Sequence, residues 1–386
     1  MKQEALWIWM QKSFGIGTRR AHEVMEYYDG PEKLLSIPPA RLVSDGFLTE
    51  RERKSCRSPD LASAEQVLLC SQQSGAWVLT PDSKDYPEQL RNIHSMPMVL
   101  HGMGDVSLLT GHTLITMVGT RMPDEYGTMA ADHLSREIAS TGAVVVSGLA
   151  VGLDAVCHAG ALAVGGTTLA VVAGGLDLDY PRPNHALRKT IEERGLLLSE
   201  FPPGTQAYPQ NFGMRNRILS GLSLATVVIQ ATIRSGTMLT AAHALSQNRD
   251  VFAVPGSIFS LKMEGCHTLL SEGAAPALSG IEVVRRYHPI KEAVAAPIGK
   301  NTPGHADTFT GITAKVVPNV IPDYLSTRQA AVLECLLKGE APVGALCEQL
   351  GGPVGEILAT LTQLELFGLA EALPGHRFGA LRHTTQ

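Results

Sequence analysis

The stretch Phe212-Gly-Met-Arg-Asn-Arg-Ile-Leu-Ser-Gly-Leu222, the apolar run Ala225–Gln230, Arg234-Ser-Gly-Thr-Met-Leu-Thr240 and Val251-Phe-Ala-Val-Pro-Gly256 decide how this chain folds. Short apolar runs end again and again in Gly, Ser, Thr and Arg. Such runs, alternating with helical segments, predict buried strands of a parallel sheet. The ends of those strands share one edge, and open α/β sheets bind ligands along it. Glycines there let a ligand approach the backbone, helix N-termini offer N–H donors, and arginines supply fixed positive charge. The pattern predicts a phosphate-holding edge.

Working outward, the same alternation starts near Ala76 and runs to about residue 287. Leu114–Val118 leads into Gly119-Thr-Arg121 and a helix near Tyr126–Ser140. Ala143–Val146 leads into Ser147-Gly-Leu-Ala-Val-Gly152 and a helix through His158. Thr168–Ala173, Leu196–Phe201, Ala225–Gln230 and Val251–Val254 continue the series. The fold class this implies is α/β, a Rossmann-like, doubly wound parallel sheet over residues 76–287. Residues 1–75 read as a helical domain. Its Phe14-Gly-Ile-Gly-Thr-Arg-Arg20 turn allows two readings: a SAM-like or helix-hairpin-helix unit offering N–H groups to a DNA backbone, or a tight turn in a packing domain. Residues 288–323 carry Pro297, Pro303, Pro318 and Pro322 without periodicity and read as a linker. Residues 324–386 show three helices and a turn at Pro374-Gly375, the order of a winged helix. The would-be recognition helix, Pro353–Phe367, carries Glu356 and Glu365 and no Lys or Arg, which disfavours insertion into a major groove.

Composition narrows the function classes. The chain has 386 residues, 44% of them hydrophobic, enough for two or three domains with a large core. A net charge of −5 means that any polyanion site is a local patch. Six scattered cysteines without a C-x-x-C pair suit a reducing compartment and argue against a disulfide framework or a zinc site. The apolar run near Met1 is short and interrupted by Glu4, and no stretch of transmembrane length occurs. The expectation is a cytoplasmic protein without membrane insertion.

Familiar chemistries fail on spacing. The only Gly-Lys pair, Gly299-Lys300, is followed by Asn301, so there is no Walker loop. The first βα turn, Gly119-Thr-Arg-Met-Pro123, lacks the G-x-G-x-x-G of a dinucleotide site. Asp154 and His158 fall four apart on one helix face. They could ligate a metal or relay a proton, but two ligands make no site, and a hydrogen-bonded pair is the better reading. What remains is a binding edge of Gly119, Thr120, Arg121, Arg182, Arg215, Arg217, Ser235, Gly236 and Thr237. Tyr180, Tyr208 and Phe212 interleave with these basic residues, the pairing of charge and stacking face that single-strand binding needs.

Taken together these motifs resemble the DNA-processing protein A family (DprA, also called Smf). The matching stretches are Tyr86-Pro-Glu-Gln-Leu90, Val118-Gly-Thr-Arg121 with Tyr126-Gly127, Ser147-Gly-Leu-Ala150 with Gly152-Leu-Asp154 and His158, and Gly175-Leu-Asp177 with Tyr180-Pro181. They continue through Ser199-Glu-Phe-Pro-Pro-Gly204, Arg215-Asn-Arg-Ile-Leu-Ser-Gly-Leu222, Ser235-Gly-Thr-Met-Leu-Thr240 and Val251-Phe-Ala-Val-Pro-Gly256. The resemblance implies a homodimer that binds single-stranded DNA and hands it to the RecA recombinase in natural transformation. It implies no catalytic residue, cofactor or metal. It places the phosphate pocket on Gly119, Thr120 and Arg121, with Gly148, Phe212, Arg215, Asn216, Arg217 and Ser235–Thr237 beside it, and puts Arg182 where the family has a basic residue. Three residues depart from the family pattern: Asp124 where it usually has Ser, Val151 where it usually has Arg, and Gln230 where a Glu is common. The basic residue lost at 151 and the acid added at 124 should weaken polyanion binding more than they bear on identity. Two other classes stay open. Phosphoribohydrolases of the lysine-decarboxylase-like type share the fold but carry a catalytic Glu soon after their Gly-Gly-x-Gly-Thr turn, where this chain has Ala241 and Ala242. A sensor of a nucleotide signal would instead require saturable mononucleotide binding.

Overall fold

The computed structural model describes residues 2–287, 325–339, 341–366, 369–373 and 377–380. The region read as a linker therefore lies outside the described residues, as does the Pro374-Gly375 turn. The chain divides into two compact units, residues 1–296 and 297–386.

The first unit begins with six helices, α1 (Gln3–Phe14), α2 (Arg19–Tyr28), α3 (Pro31–Ser36), α4 (Pro39–Ser44), α5 (Glu50–Arg57) and α6 (Leu61–Gln73). Their packing is apolar: Trp7, Ile8, Trp9, Met10, Val24, Leu34, Leu42 and Leu68 form one buried cluster. Full burial of each such aliphatic side chain stabilises by about 1.5–3 kcal/mol. Thr18 caps α2 by accepting the Ala21 amide at 3.1 Å, and Thr49 and Glu52 form a reciprocal capping box on α5.

The sheet domain follows as β1 (Trp77–Leu79), α7 (Glu88–Arg91), β2 (Leu100–Gly104), β3 (Leu114–Val118), α8 (Glu125–Ser140), β4 (Val144–Ser147), α9 (Leu153–Ala163) and β5 (Thr168–Val171). It continues with α10 (His185–Arg194), β6 (Leu196–Ser199), α11 (Pro209–Leu222), β7 (Ala225–Val228), α12 (Gly236–Ser246), β8 (Asp250–Ala253), α13 (Glu264–Ser271), β9 (Ala275–Pro276) and α14 (Gly280–Arg285). The nine strands order as β1-β2-β6-β5-β4-β3-β7-β8-β9. Strands β6 to β9 pair in parallel, whereas β2 runs antiparallel to β6, and β1 to β2. Alternate residues serve opposite faces. Leu114, Val118, Val144 and Val146 join one buried cluster, and Ile115, Met117, Val145 and Val227 join the other. Both faces are dry, which is why these strands read as unbroken apolar runs.

Winding runs outward from β3 through β4 and β5 to β6, then returns so that β7 pairs with β3 on its other side. The order reverses between β3 and β7. In open sheets the crevice at such a switch point lies at the carboxyl ends of the two strands.

The second unit holds α15 (Thr327–Lys338), β10 (Ala341–Pro342), α16 (Val343–Leu350), α17 (Val354–Leu366), β11 (Ala370–Leu373) and β12 (Arg377–Ala380). Its three strands order β10-β12-β11, and Val332, Leu336, Leu346, Ile357 and Leu361 fill its core. This is a winged helix, as its sequence pattern predicts.

Two buried histidines tie stability to pH. His101 sits beside Ser71 Oγ at 3.0 Å and His158 beside Thr168 Oγ1 at 2.6 Å, and in each ring Nε2 has no partner. Burial lowers His101 to about 4. Burial, with a smaller contribution from Arg215, lowers His158 to about 3. Between the unfolded histidine value near 6.5 and these folded values, the unfolded chain binds more protons than the folded one. Stability is therefore expected to fall as pH drops through this window. Melting temperature measured from neutral pH downward should decline, and the decline should flatten when His101 and His158 are replaced by Gln.

Candidate nucleic-acid interface

A cavity of about 300 Å³ occupies the switch point. Val118 ends β3 and Gly119, Thr120 and Arg121 follow it, Ala150 and Asp154 follow β4, Phe212, Arg215 and Asn216 come from α11, and Ser235, Gly236 and Thr237 open α12. Nine of the residues placed in the site by sequence line this cavity: Gly119, Thr120, Arg121, Phe212, Arg215, Asn216, Ser235, Gly236 and Thr237.

The two arginines of the cavity differ in kind. Arg215 is 4% exposed; it donates to Gly148 O at 2.8 Å, to Val171 O and to Asn216 Oδ1 at 3.2 Å. Its guanidinium braces the ends of β4 and β5. Burial lowers it to about 10; Asp154 opposes the shift, and the positive charge of Arg121 adds to it. Arg121 is exposed and stacks over the Phe212 ring at 4.8 Å. It forms no ion pair among the described residues, with Asp124 or any other acid. Both cations thus lie near the Phe212 ring, the Arg215 guanidinium at 5.9 Å, and each feels the other's charge. An anion in the cavity would relieve their repulsion.

Donors converge from the third side. Gly236 and Thr237 are the first residues of α12, so their amides lack intrahelical acceptors. The Ser235 hydroxyl is buried and has no hydrogen-bond partner. A Cβ on Gly236 would meet nothing within 4 Å, so the α12 turn is open toward the cavity. Asn216 Nδ2 donates to Gly236 O at 3.2 Å and fixes the turn against α11.

Three residues assigned by sequence sit elsewhere. Gly148 is not in the lining. A Cβ there would lie 2.5 Å from the Arg215 guanidinium, so this glycine makes room for the arginine. Arg182 is exposed in a short helical turn outside the cavity. Arg217 points away from Arg215, because neighbours two apart on a helix do not share a face. It forms a two-pronged pair with Glu200, 2.8 Å to each carboxylate oxygen, and both side chains are nearly fully buried. Gly17 of the N-terminal turn packs against this pair: a Cβ there would lie 2.8 Å from the Arg217 guanidinium and 3.3 Å from Glu200 Oε2. Gln11 also donates to Glu200 O at 3.2 Å. In the Gly-Ile-Gly turn, Gly17 therefore serves packing. Gly119, too, serves packing, since a Cβ would meet Leu153 Cδ1 at 2.3 Å.

The Asp154–His158 pair expected from spacing does not form. His158 turns to Thr168, and Asp154 turns into the cavity, where the Ala150 amide donates to it at 3.4 Å. Burial raises the Asp154 carboxyl, and Arg215 and backbone amides oppose the rise. Helical spacing identified a shared face but not that the loop before α9 would draw the carboxylate back to its own N-terminus. The departures at 124 and 230, by contrast, prove to be neighbours. Gln230 Nε2 donates to Asp124 Oδ2 at 2.9 Å, while Asp124 caps α8 by accepting the Gly127 amide at 2.9 Å. Val151 is partly exposed and leaves its position without charge.

The sequence and the fold have counterparts among known proteins. Residues 77–288 match the family model of DNA recombination-mediator protein A, and residues 319–376 match the DprA winged helix domain. The chain belongs to the DNA recombination-mediator protein A family. The DprA relatives include the protein Smf of Synechocystis, 31% identical over 97% of this chain and 98% of its own length. The DNA processing protein DprA of Bacillus subtilis is 41% identical over 56% of this chain and 73% of its own. Among solved DprA structures, that of Streptococcus pneumoniae covers 75% of this chain and 99% of its own, with 30% identity and a TM-score of 0.65. The Helicobacter pylori DprA, whose structure is described for its single-stranded DNA binding mode, covers 55% of this chain and 97% of its own. It shows 29% identity and a TM-score of 0.51.

Proposed function

We propose that this protein is a non-enzymatic DNA-processing protein that holds single-stranded DNA by a phosphate in the β3/β7 cavity and passes the strand to a RecA recombinase during uptake and recombination of DNA, acting as a homodimer in the cytoplasm. The observation that carries the binding step is the cavity's donor set: Arg121 without an acid partner, the first amides of α12, and the orphaned Ser235 hydroxyl. A phosphate oxygen accepts from all three kinds of donor. Phe212 in the lining and the exposed Tyr180, edge to face with it at 6.2 Å, supply faces on which bases stack. The single-stranded DNA described for the Helicobacter pylori relative supports the same ligand here. Nucleotide hydrolysis would require a free base beside the ligand. The carboxylate in the lining, Asp154, is buried against Arg215 and backbone amides. No release of base from a nucleotide is expected.

The test is a titration of labelled oligo-dT and of the corresponding blunt duplex at two salt concentrations. Stacking faces with a phosphate cavity, and a winged helix whose α17 sequence carries no Lys or Arg, should favour the single strand. Equal or tighter binding of duplex at physiological salt would overturn this reading and turn attention to the winged helix.

A further inference from the structure

The sheet's carboxyl edge does not end at the cavity. Beyond it, the loops after β7 and β8 leave neighbouring parallel strands and run side by side, strands in a sheet lying about 4.8 Å apart. On these loops Ile233 is 53%, Ile258 80%, Phe259 90% and Leu261 71% exposed. From the β3 side, Met122 is 77% and Tyr126 48% exposed, and the Tyr126 hydroxyl donates to Pro255 O, tying the start of α8 to the β8 loop. The Gly265 amide donates to Ala231 O at 2.8 Å, and Gln230 reaches Met263 Sδ at 3.6 Å, so the β7 and β8 loops are also joined. The apolar side chains therefore stand on a strip of loops tied to one another rather than on unrelated parts of the surface. Arg121, Arg234 and Lys262 stand along it, and none has an ion pair among the described residues.

Solvated loops seldom expose so much apolar surface without a partner. A protein partner would be matched by an apolar patch with paired or absent charge at its centre. Here unpaired cations alternate with apolar faces, and the strip begins at the arginine that faces the cavity. We propose that this strip is a second, base-contacting track: a single strand whose phosphate sits in the cavity continues over the β7 and β8 loops, its bases resting on Phe259, Ile258 and Tyr126 and its backbone passing Arg234 and Lys262. This rests on the single-strand reading above and extends it to a longer footprint. The cavity holds one phosphate, and the track sets how affinity grows with strand length.

The full chain is tested with a short oligo-dT that spans only the cavity and with a longer one. Phe259→Ala and the double substitution Ile258→Ser, Phe259→Ser change exposed side chains and should fold as the unsubstituted protein does. The longer strand should bind each variant at least five- to tenfold more weakly, by loss of stacking, with the short strand unaffected. The salt slope should stay unchanged, because no phosphate contact is removed. Phe259→Trp, read against the three native tryptophans, should show emission quenched by the long strand and not by the short one. Unchanged affinity for the long strand would overturn the track while leaving the cavity reading standing, provided Arg121→Ala still weakens binding. Loss of self-association on sedimentation, with DNA affinity intact, would likewise overturn it and assign the strip to a second copy. Failure of the unsubstituted protein to bind either strand would instead remove the reading beneath it.

Discussion

Replacing Arg121 with Ala is expected to lower affinity for single-stranded DNA at least tenfold without lowering melting temperature. The guanidinium is exposed, lies over Phe212 and has no acid partner to lose. A charge-assisted hydrogen bond is worth about 1.5–3 kcal/mol, which sets the size of the effect. The loss should be similar across base sequences, since phosphate contacts position a strand and do not read it. The slope of log affinity against log salt should shrink by about 0.7 for the one phosphate contact removed. Melting temperature and salt dependence measured on one preparation decide the matter. Unchanged affinity and slope in a folded variant would remove Arg121 from the site. A drop in melting temperature with intact affinity would make it a brace of the turn.

Glu200→Ala is expected to produce a large loss of stability. Removing one partner of a buried ion pair leaves an uncompensated charge, at a cost of about 3–5 kcal/mol. Arg217 would keep only its bond to Met214 O, at 3.1 Å, and Gly17 would lie against an unpaired guanidinium. Because Glu200 and Arg217 join α11 to the N-terminal helices, the helices α1–α6 should loosen with it and become more open to protease. Replacing both partners with apolar residues, Glu200→Leu with Arg217→Met, should recover much of the loss, because no buried charge is then left alone. If the double substitution is as damaging as the single one, the pair's role is geometric. If Glu200→Ala melts like the unsubstituted protein, the pair contributes nothing to stability.

Arg121 and Arg217, both placed in the site by sequence but opposite in use, mark where sequence reading reaches its limit. Arg121 was legible as a ligand-facing residue because it ends an apolar strand in a Gly-Thr-Arg turn, and strand ends in a parallel sheet share an edge. The alternation of apolar runs and helices was enough for the doubly wound sheet, and helix order was enough for the winged helix. Antiparallel β1 and β2 gave no comparable signal: β1 has three residues, and β2, Leu100-His-Gly-Met-Gly104, carries two glycines and a buried histidine in place of an apolar run.

Composition, strand and helix periodicity and the turn motifs by themselves determined the sheet, its loaded edge and most of the cavity's lining. Only the tertiary structure decided which charges are free. Arg215, Arg217, Asp154 and Gln230 are all polar residues of the motif-bearing stretches, and sequence treats them alike. Their roles depend on partners distant in the chain: Gly148 and Val171 for Arg215, Glu200 and Gly17 for Arg217, Asp124 for Gln230. A buried charge must find a partner or lose its ionisation, and that partner is set by which loops the winding of the sheet brings together. Residue type says that a charge is present; packing alone says whether it has already been spent within the fold.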